Sequence, residues 1–405
     1  MSAEPQQKLD RDHVLEVSES RDEPDWLTNR RLEAWESYED LPFPKVITTP
    51  GKVWTDLGEL TARSLAKGEG TTQRQIETNE ADLPEGVVLT DFATAVEEHE
   101  DLVRENLMNK AVRWDDNRFT AIHAAAVTDG VFVYVPEGVE VDETLSTQTV
   151  VDDSVQFSHT LVVVEDNAKV NVSESIEGGD ESYFSNIVEV HAGDGAEVNY
   201  GAVQDLSEDS YQYTVKRGTA GRDASVNWID GCFGTALTKS TVSTVIEGEG
   251  ADTENLGLFF GTGDQHFDVE TRTRHDAPNS VCDMFTRGVL DDEAVGAYEG
   301  TIEVSEPAYN VDAYQTENVL LVSDKAEADA SPRLEIDNND VKCSHAATVG
   351  KIDDEEMFYM RSRGLDEESV RRRIVEGFFE PVFGELPLEE LEDDCREIVE
   401  RKMEI

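Results

Sequence analysis

The spacing of apolar positions changes twice along the chain and divides it into three parts. Up to residue 118 apolar residues recur at helical intervals. The acidic residues and the proline at Asp22–Asp25 form a helix-start signal for the first of these stretches. Between 119 and 350 they form short runs or alternate with polar residues, which predicts strands. From 351 to 405 the helical spacing returns. We therefore predict a mainly β core at 119–350, flanked by an N-terminal helical and irregular region (1–118) and a C-terminal helical region (351–405).

A weak internal repeat marks the core. A strand, a polar turn and a small residue that leads into the next strand recur five times. The small residues are Ala168, Ala196, Ala251, Ala308 and Ala326. Their spacing is irregular, since 28 residues separate the first two and 18 separate the last two. Degenerate repeats of short strands are typical of a β-solenoid, and a β-sandwich or jelly roll is the alternative.

Three helices are expected in the C-terminal region. The first begins at Asp353 and ends near Gly364, and the second begins at Asp366. Pro381 is expected to end the second helix, because proline cannot donate a helical hydrogen bond. Cys395 lies on the apolar stripe of the third helix, which predicts that it packs in the core.

Charge is the most unusual feature of the composition. The chain has 89 acidic and 34 basic residues, which gives a net charge of −55 at pH 7. Like charges at this density repel one another at low ionic strength and are screened in molar salt. We therefore expect a halophilic host with a salt-rich cytoplasm. Nucleic-acid binding is not expected, because it requires clustered basic residues.

The four cysteines are widely separated and form no CxxC pair. The chain begins without an apolar leader, and no run approaches the ~20 apolar residues of a membrane span. We therefore expect a cytoplasmic protein with reduced thiols. A serine nucleophile elbow, a phosphate-binding loop and a zinc-binding HExxH helix are also absent, and without the phosphate-binding loop we do not expect the chain to hydrolyse ATP.

One candidate metal site lies on a predicted strand. His266, Asp268 and Glu270 alternate along it, so they point to one face, with Phe267 and Val269 on the other. An imidazole and two carboxylates on one face could hold a divalent metal ion. A half-buried strand with a polar outer face explains the same pattern without a metal.

A second candidate site is the pair Cys343 and His345. Their spacing puts a thiol and an imidazole on one face of an extended segment, and this combination suits iron or zinc. Two ligands do not complete a site, so the others would come from another chain or from a small thiol. A buried cysteine beside a hydrogen-bonded histidine is the alternative.

Three segments near this pair carry a specific pattern: SPRLEI at 331–336, DVKCSHAATVG at 340–350 and FYMRSRG at 358–364. They resemble the SufB/SufD family of iron–sulfur cluster assembly proteins, and the chain is similar to its SufD branch. SufB-type chains carry a cysteine and a glutamate at the positions that are Ala326 and Ala346 in this sequence. SufD-type chains usually carry glycine at the second of these positions, from which Ala346 departs by one methyl group.

The resemblance implies a right-handed parallel β-helix and a scaffold, not an enzyme, in the SUF iron–sulfur cluster assembly system. It also implies pairing with SufB through the β-helix ends and binding of the ATPase SufC to the C-terminal helices. His345, with Cys343 as its neighbour, would hold a transient iron–sulfur cluster shared with SufB.

No stably bound cofactor is expected in the isolated chain, which would form a homodimer in the absence of its partner. A stand-alone metal-dependent β-helix enzyme that uses His266, Asp268 and Glu270 is the alternative.

Overall fold

The computed structural model describes residues 8–66, 73–76, 83–152, 154–384 and 388–404. Its N-terminal helices are α1 (Arg11–Ser20), α2 (Asp25–Ser37), α3 (Gly58–Ser64), α4 (Phe92–Glu98), α5 (Glu100–Asn106) and α6 (Arg118–Ala126). Its N-terminal strands are β1 (Thr48–Thr49), β2 (Lys52–Val53), β3 (Gln73–Ile76) and β4 (Val88–Asp91).

Local signals mark the starts of several of these helices. Helix α2 begins at Asp25, as the acidic residues and proline before it predict. Helix α6 crosses the predicted boundary at residue 118, and Asn117 closes its first turn with a capping box. All its residues from Phe119 to Ala126 are buried. Because no polar face alternates with an apolar one, the sequence shows no helical period there.

The core consists of parallel strands that alternate between two sheets. The first sheet contains β6 (Leu145–Val151), β8 (Lys169–Gly178), β10 (Glu197–Leu206), β12 (Ser225–Cys232), β14 (Asp252–Gly261), β16 (Val281–Leu290), β18 (Val311–Leu321) and β20 (Val341–Lys351). The second sheet contains β5 (Asp129–Val135), β7 (Val155–Val164), β9 (Tyr183–Ala192), β11 (Tyr211–Ala220), β13 (Leu237–Ile246), β15 (His266–His275), β17 (Val295–Val304) and β19 (Glu327–Ile336).

Each strand pairs with the strand two places further along the chain, so the backbone winds as a parallel β-solenoid of about eight turns. This confirms the predicted mainly β solenoid, with helices N-terminal and C-terminal to it. The right-handed sense of the winding stays a prediction.

The length of one turn explains the irregular spacing of the five alanines. Asn171, Asn199 and Asn227 stack in register on the first sheet, and each is 28 residues from the next. Four of the alanines precede strands of the first sheet, whereas Ala326 precedes β19 of the second sheet. The 18-residue interval from Ala308 to Ala326 is therefore shorter than one turn, because it runs from a strand of the first sheet to a strand of the second. All five alanines are buried, because the turn before each strand leads into the solenoid interior.

Most of each sheet is buried on both faces, whereas the last strands, β19 and β20, are half-buried or exposed. Alternate residues point inward, where apolar clusters from the two sheets meet. The N-terminal helices cover the outer face of part of the second sheet, and residues such as Ile187 and Val215 pack against them. The C-terminal helices cover the outer face of part of the first sheet, where Leu256 and Leu258 belong to the shared apolar cluster.

The C-terminal helices are α7 (Asp354–Ser362), α8 (Glu367–Phe383) and α9 (Glu389–Lys402). Asp353 and Asp366 accept hydrogen bonds from the first turns of α7 and α8, which confirms the predicted starts. Cys395 is buried in the apolar cluster between these helices and the first sheet, as predicted.

The predicted end of α8 at Pro381 is wrong, because the helix continues through this proline to Phe383. The proline removes one helical hydrogen bond, the one that its N–H would donate to the carbonyl of Gly377, and the helix continues in spite of this loss. Val382 and Phe383 pack in the apolar cluster against the first sheet, and this burial stabilises the last turn. No helix among the described residues is long and apolar enough to span a membrane.

Candidate functional site

The two ends of the solenoid differ. At one end, the antiparallel strands β3 and β4 pair with β6 and β5. At the other end, no strand of the described residues pairs beyond β19 and β20. We call the inward-facing residues of these last two strands the open end. They are Ala328, Ala330, Pro332, Leu334, Ile336, Val341, Cys343, His345, Ala347 and Val349.

Residues of the open end are half-buried or exposed, although their equivalents in the preceding turn are buried. Val349 is 42% exposed, whereas Val319, its partner one strand further in, is 3% exposed. The end of the solenoid is therefore an apolar surface with free backbone donors and acceptors at its strand edges.

Cys343 lies at the rim of the solenoid interior. It pairs with Ala313, which pairs in turn with the fully buried Cys282. Partial burial, with a smaller contribution from the charge of Asp312, raises the pKa of the Cys343 thiol. The thiol is therefore protonated at neutral pH in the isolated chain, and a bound metal ion would displace its proton.

His345 is two residues along the same strand and shares the inward face with Cys343, as the sequence predicts. Its side chain is exposed and lies beside Gln315 of β18. The imidazole forms no hydrogen bond within the part of the chain that the structure describes. The alternative of a buried cysteine beside a hydrogen-bonded histidine therefore does not describe this pair.

Two further polar residues lie one strand behind His345. Gln315 and Glu317 point inward from β18 and are 1% and 0% exposed. Neither side chain has a hydrogen-bond partner among the described residues. Burial, with a smaller contribution from Asp329, raises the pKa of Glu317 to about 9. Sequence reasoning missed this pair, because alternation along a strand does not show which face is the inner one.

The first predicted cluster has a different environment. His266, Asp268 and Glu270 share one face of β15, as predicted, but that face is covered. The hydroxyl of Thr55 contacts both His266 and Asp268. The ammonium of Lys239 lies 2.7 Å from the Asp268 carboxylate and 3.9 Å from that of Glu270. A buried lysine thus occupies the position between the carboxylates that a metal ion would need.

Comparison with family models decides which family this solenoid and its open end belong to. A model described as SUF system FeS cluster assembly, SufBD core domain, matches residues 146–378. A model of the SufBD protein N-terminal region matches residues 69–147. The chain belongs to the SufBD family. A role in iron–sulfur cluster assembly follows from this membership, and the core match includes both Cys343 and His345.

Curated relatives from this family agree with the SufD branch. The chain is 33% identical to the iron–sulfur cluster assembly protein SufD of Bacillus subtilis over 98% of both chains. It is 27% identical to SufB of the same organism, over 94% of this chain and 90% of SufB. A SufBD family protein of Staphylococcus saprophyticus is 26% identical over 93% of this chain and 89% of its own length.

Acid is expected to destabilise this SufBD protein through its buried histidines. His275 is fully buried on the inner face of β15, and burial lowers its pKa from 6.5 to about 4. Between these two values the unfolded chain binds a proton that the folded chain does not. The free energy of unfolding should therefore fall as the pH falls from 6.5 to 4, by about 3 kcal/mol for this group. Burial also lowers the pKa of His123, which adds to the loss.

Urea unfolding at constant high salt, at several pH values in this window, would measure the effect. The control is His275→Gln, which can keep a hydrogen bond to the Ser280 hydroxyl, 2.8 Å from Nδ1, but does not titrate. Its pH slope should be shallower by up to about 1.4 kcal/mol per pH unit. Equal slopes for the two proteins would contradict the prediction.

Proposed function

We propose that this chain is a SufD-type scaffold subunit that pairs end to end with a SufB-type chain. The open end is the observation that carries the proposal, because it joins unpaired strand edges, an apolar surface and two candidate ligands. Unpaired edges seek other strands, and a second solenoid of the same kind would extend both sheets. Without that partner, two copies of this chain would pair through the same end.

The cargo of the pair is a nascent iron–sulfur cluster. This chain offers the imidazole of His345 and, beside it, the thiol of Cys343. The SufB-type partner supplies the remaining ligands. A cluster held by ligands from two chains is released when the chains move apart, which suits a scaffold that passes its cluster on.

An ATPase of the SufC type would dock on the C-terminal helices. Helices α8 and α9 pack on the first sheet, whereas α7 has no buried residue. Phe358 and Tyr359 are 74% and 58% exposed on α7. Neighbouring exposed aromatic residues are typical of protein contacts. The ATPase would supply the energy for moving the two scaffold chains, and this chain itself acts as a scaffold, not as an enzyme.

Purification of the tagged chain from its native host at native salt tests the proposal. We expect it to recover a SufB-type chain and a small ABC-type ATPase, identified by mass spectrometry. Val349→Asp, which puts a charge on the exposed open end, should lose the SufB-type chain and keep the ATPase. Phe358→Ala combined with Tyr359→Ala should do the reverse.

Recovery of the chain alone, with a stoichiometric metal ion, would contradict the scaffold function. That result would favour the metal-dependent enzyme that the sequence left as the alternative. Loss of both partners in both variants would contradict the assignment of two separate docking surfaces.

A further inference from the structure

The polar pair Gln315 and Glu317 has no role in the function proposed so far. Both residues are on β18, one strand further into the solenoid than Cys343 and His345. They share one face of β18 with Ala313 and Val319, which pack in the inner apolar clusters, so their side chains also point inward. Both side chains are buried, yet neither the amide nor the carboxylate has a partner among the described residues.

Other buried charges in the solenoid interior are paired. Lys216 donates to Asp230 at 2.7 Å, and Ser240 donates to the same carboxylate. Glu174 accepts a hydrogen bond from the Tyr200 hydroxyl at 2.8 Å. Buried polar atoms are paired in the great majority of cases, and a buried carboxyl group without a partner is destabilising even when it is protonated. Glu317 therefore differs from its neighbours in a way that points to a ligand.

The position of the pair connects it to the open end. In the register between β18 and β20, His345 lies beside Gln315 and Ala347 lies beside Glu317. The small side chain of Ala347 leaves the carboxylate close to the open end. Gln315 extends across the interior to the second sheet, because a Cβ atom added at Gly300 would lie 1.8 Å from its Nε2 atom.

We propose that Glu317 is a second iron-binding side chain of this chain, one strand behind His345. The proposal rests on the proposed function, which supplies His345 and the ligands of the partner chain. Imidazole and carboxylate together are suitable ligands for iron(II). Adjacent strands are ~4.8 Å apart and two residues along a strand span ~6.6 Å, so diagonal neighbours on one face are ~8 Å apart, within the combined reach of an imidazole and a glutamate around one ion.

Iron(II) binding, measured anaerobically at high salt by equilibrium dialysis, tests the proposal with the full chain and with its assembled complex. Glu317→Gln keeps the shape of the side chain and removes the carboxyl group that would bind the metal ion. We expect it to weaken binding at the site at least about tenfold. Cobalt(II) in place of iron(II) gives a second measurement, because its visible absorption changes when a directly bound ligand is lost.

The matched control is Glu335→Gln, which removes an exposed carboxylate from the outer face of β19, the last strand of the second sheet. This control should leave iron(II) binding unchanged. It therefore distinguishes binding at the site from non-specific attraction of the cation to a chain of net charge −55. Thermal unfolding should show Glu317→Gln to be about as stable as the wild type, since one buried, uncharged side chain without a partner replaces another.

Three results are distinguishable. Weaker binding in both Glu317→Gln and His345→Ala, with a changed cobalt spectrum in each, supports the inference. Weaker binding in His345→Ala alone overturns the inference and leaves the proposed function standing. A wild-type chain and complex without a saturable site, or with a site that neither variant changes, overturns the inference and contradicts the role of His345 as well.

Discussion

Replacing His345 by alanine is expected to lower cluster maturation at least about tenfold while the complex still assembles. The imidazole is exposed and forms no hydrogen bond within the described part of the chain, so its removal should not disturb the fold. Residues that only orient a metal ligand typically lower metal affinity or activity 10–100-fold when they are lost. A side chain that binds the cluster directly should have at least as large an effect. Maturation can be measured as the activity of a cluster-dependent enzyme in host cells that carry only the variant.

Ser344→Ala is the matched control for this experiment. Ser344 is exposed on the same strand, but its side chain points to the outer face. Equal maturation in the two variants would show that His345 is not a cluster ligand. Failure of the His345→Ala complex to assemble, with Ser344→Ala normal, would show instead that His345 is needed for pairing.

Replacing Arg31 by methionine is expected to lower the free energy of unfolding by about 3–5 kcal/mol. Arg31 is 0% exposed, and its guanidinium donates to both oxygens of the Glu23 carboxylate, at 2.6 and 2.7 Å. It also donates to the carbonyl of Ala125 at 3.2 Å, which links α2 to α6. Methionine has a similar length but leaves the buried Glu23 carboxylate unpaired.

The control for Arg31 is an exposed pair in the same region. Arg11 and Glu36 are 3.3 Å apart, with side chains 51% and 61% exposed. Arg11→Met should cost less than about 1 kcal/mol. A double variant that also replaces Glu23 by leucine should recover much of the loss, because no unpaired charge then remains. Chemical unfolding at native salt measures all three, and equal losses in the two single variants would contradict the argument.

Much of the fold could be predicted from residues that are close together in the chain. Asp353 and Asp366 mark helix starts because a capping side chain bonds to backbone N–H groups two or three residues away. Apolar runs and alternation predict strands, since successive side chains point to opposite faces. The pair Cys343 and His345 was found in the same way, by its spacing and by the pattern of the surrounding residues.

Packing with distant segments decided what these local signals could not. The continuation of α8 past Pro381 depends on burial of Phe383 against the first sheet, and α6 has no polar face because it is covered on all sides. For the cluster on β15, the sequence predicts that Asp268 shares a face with Glu270. It does not show that Lys239, from the preceding turn, pairs with that face.

The sequence by itself determined the mainly β class, the strand repeat, the helix starts and the candidate ligands Cys343 and His345. Only the tertiary structure decided that the strands alternate between two sheets, which side chains point inward, and that Glu317 lies unpaired behind His345. The physical reason is the winding of the chain. Neighbours in a solenoid are about one turn apart in sequence, 28 residues in the asparagine stack, so their contacts depend on register between strands and not on any local pattern.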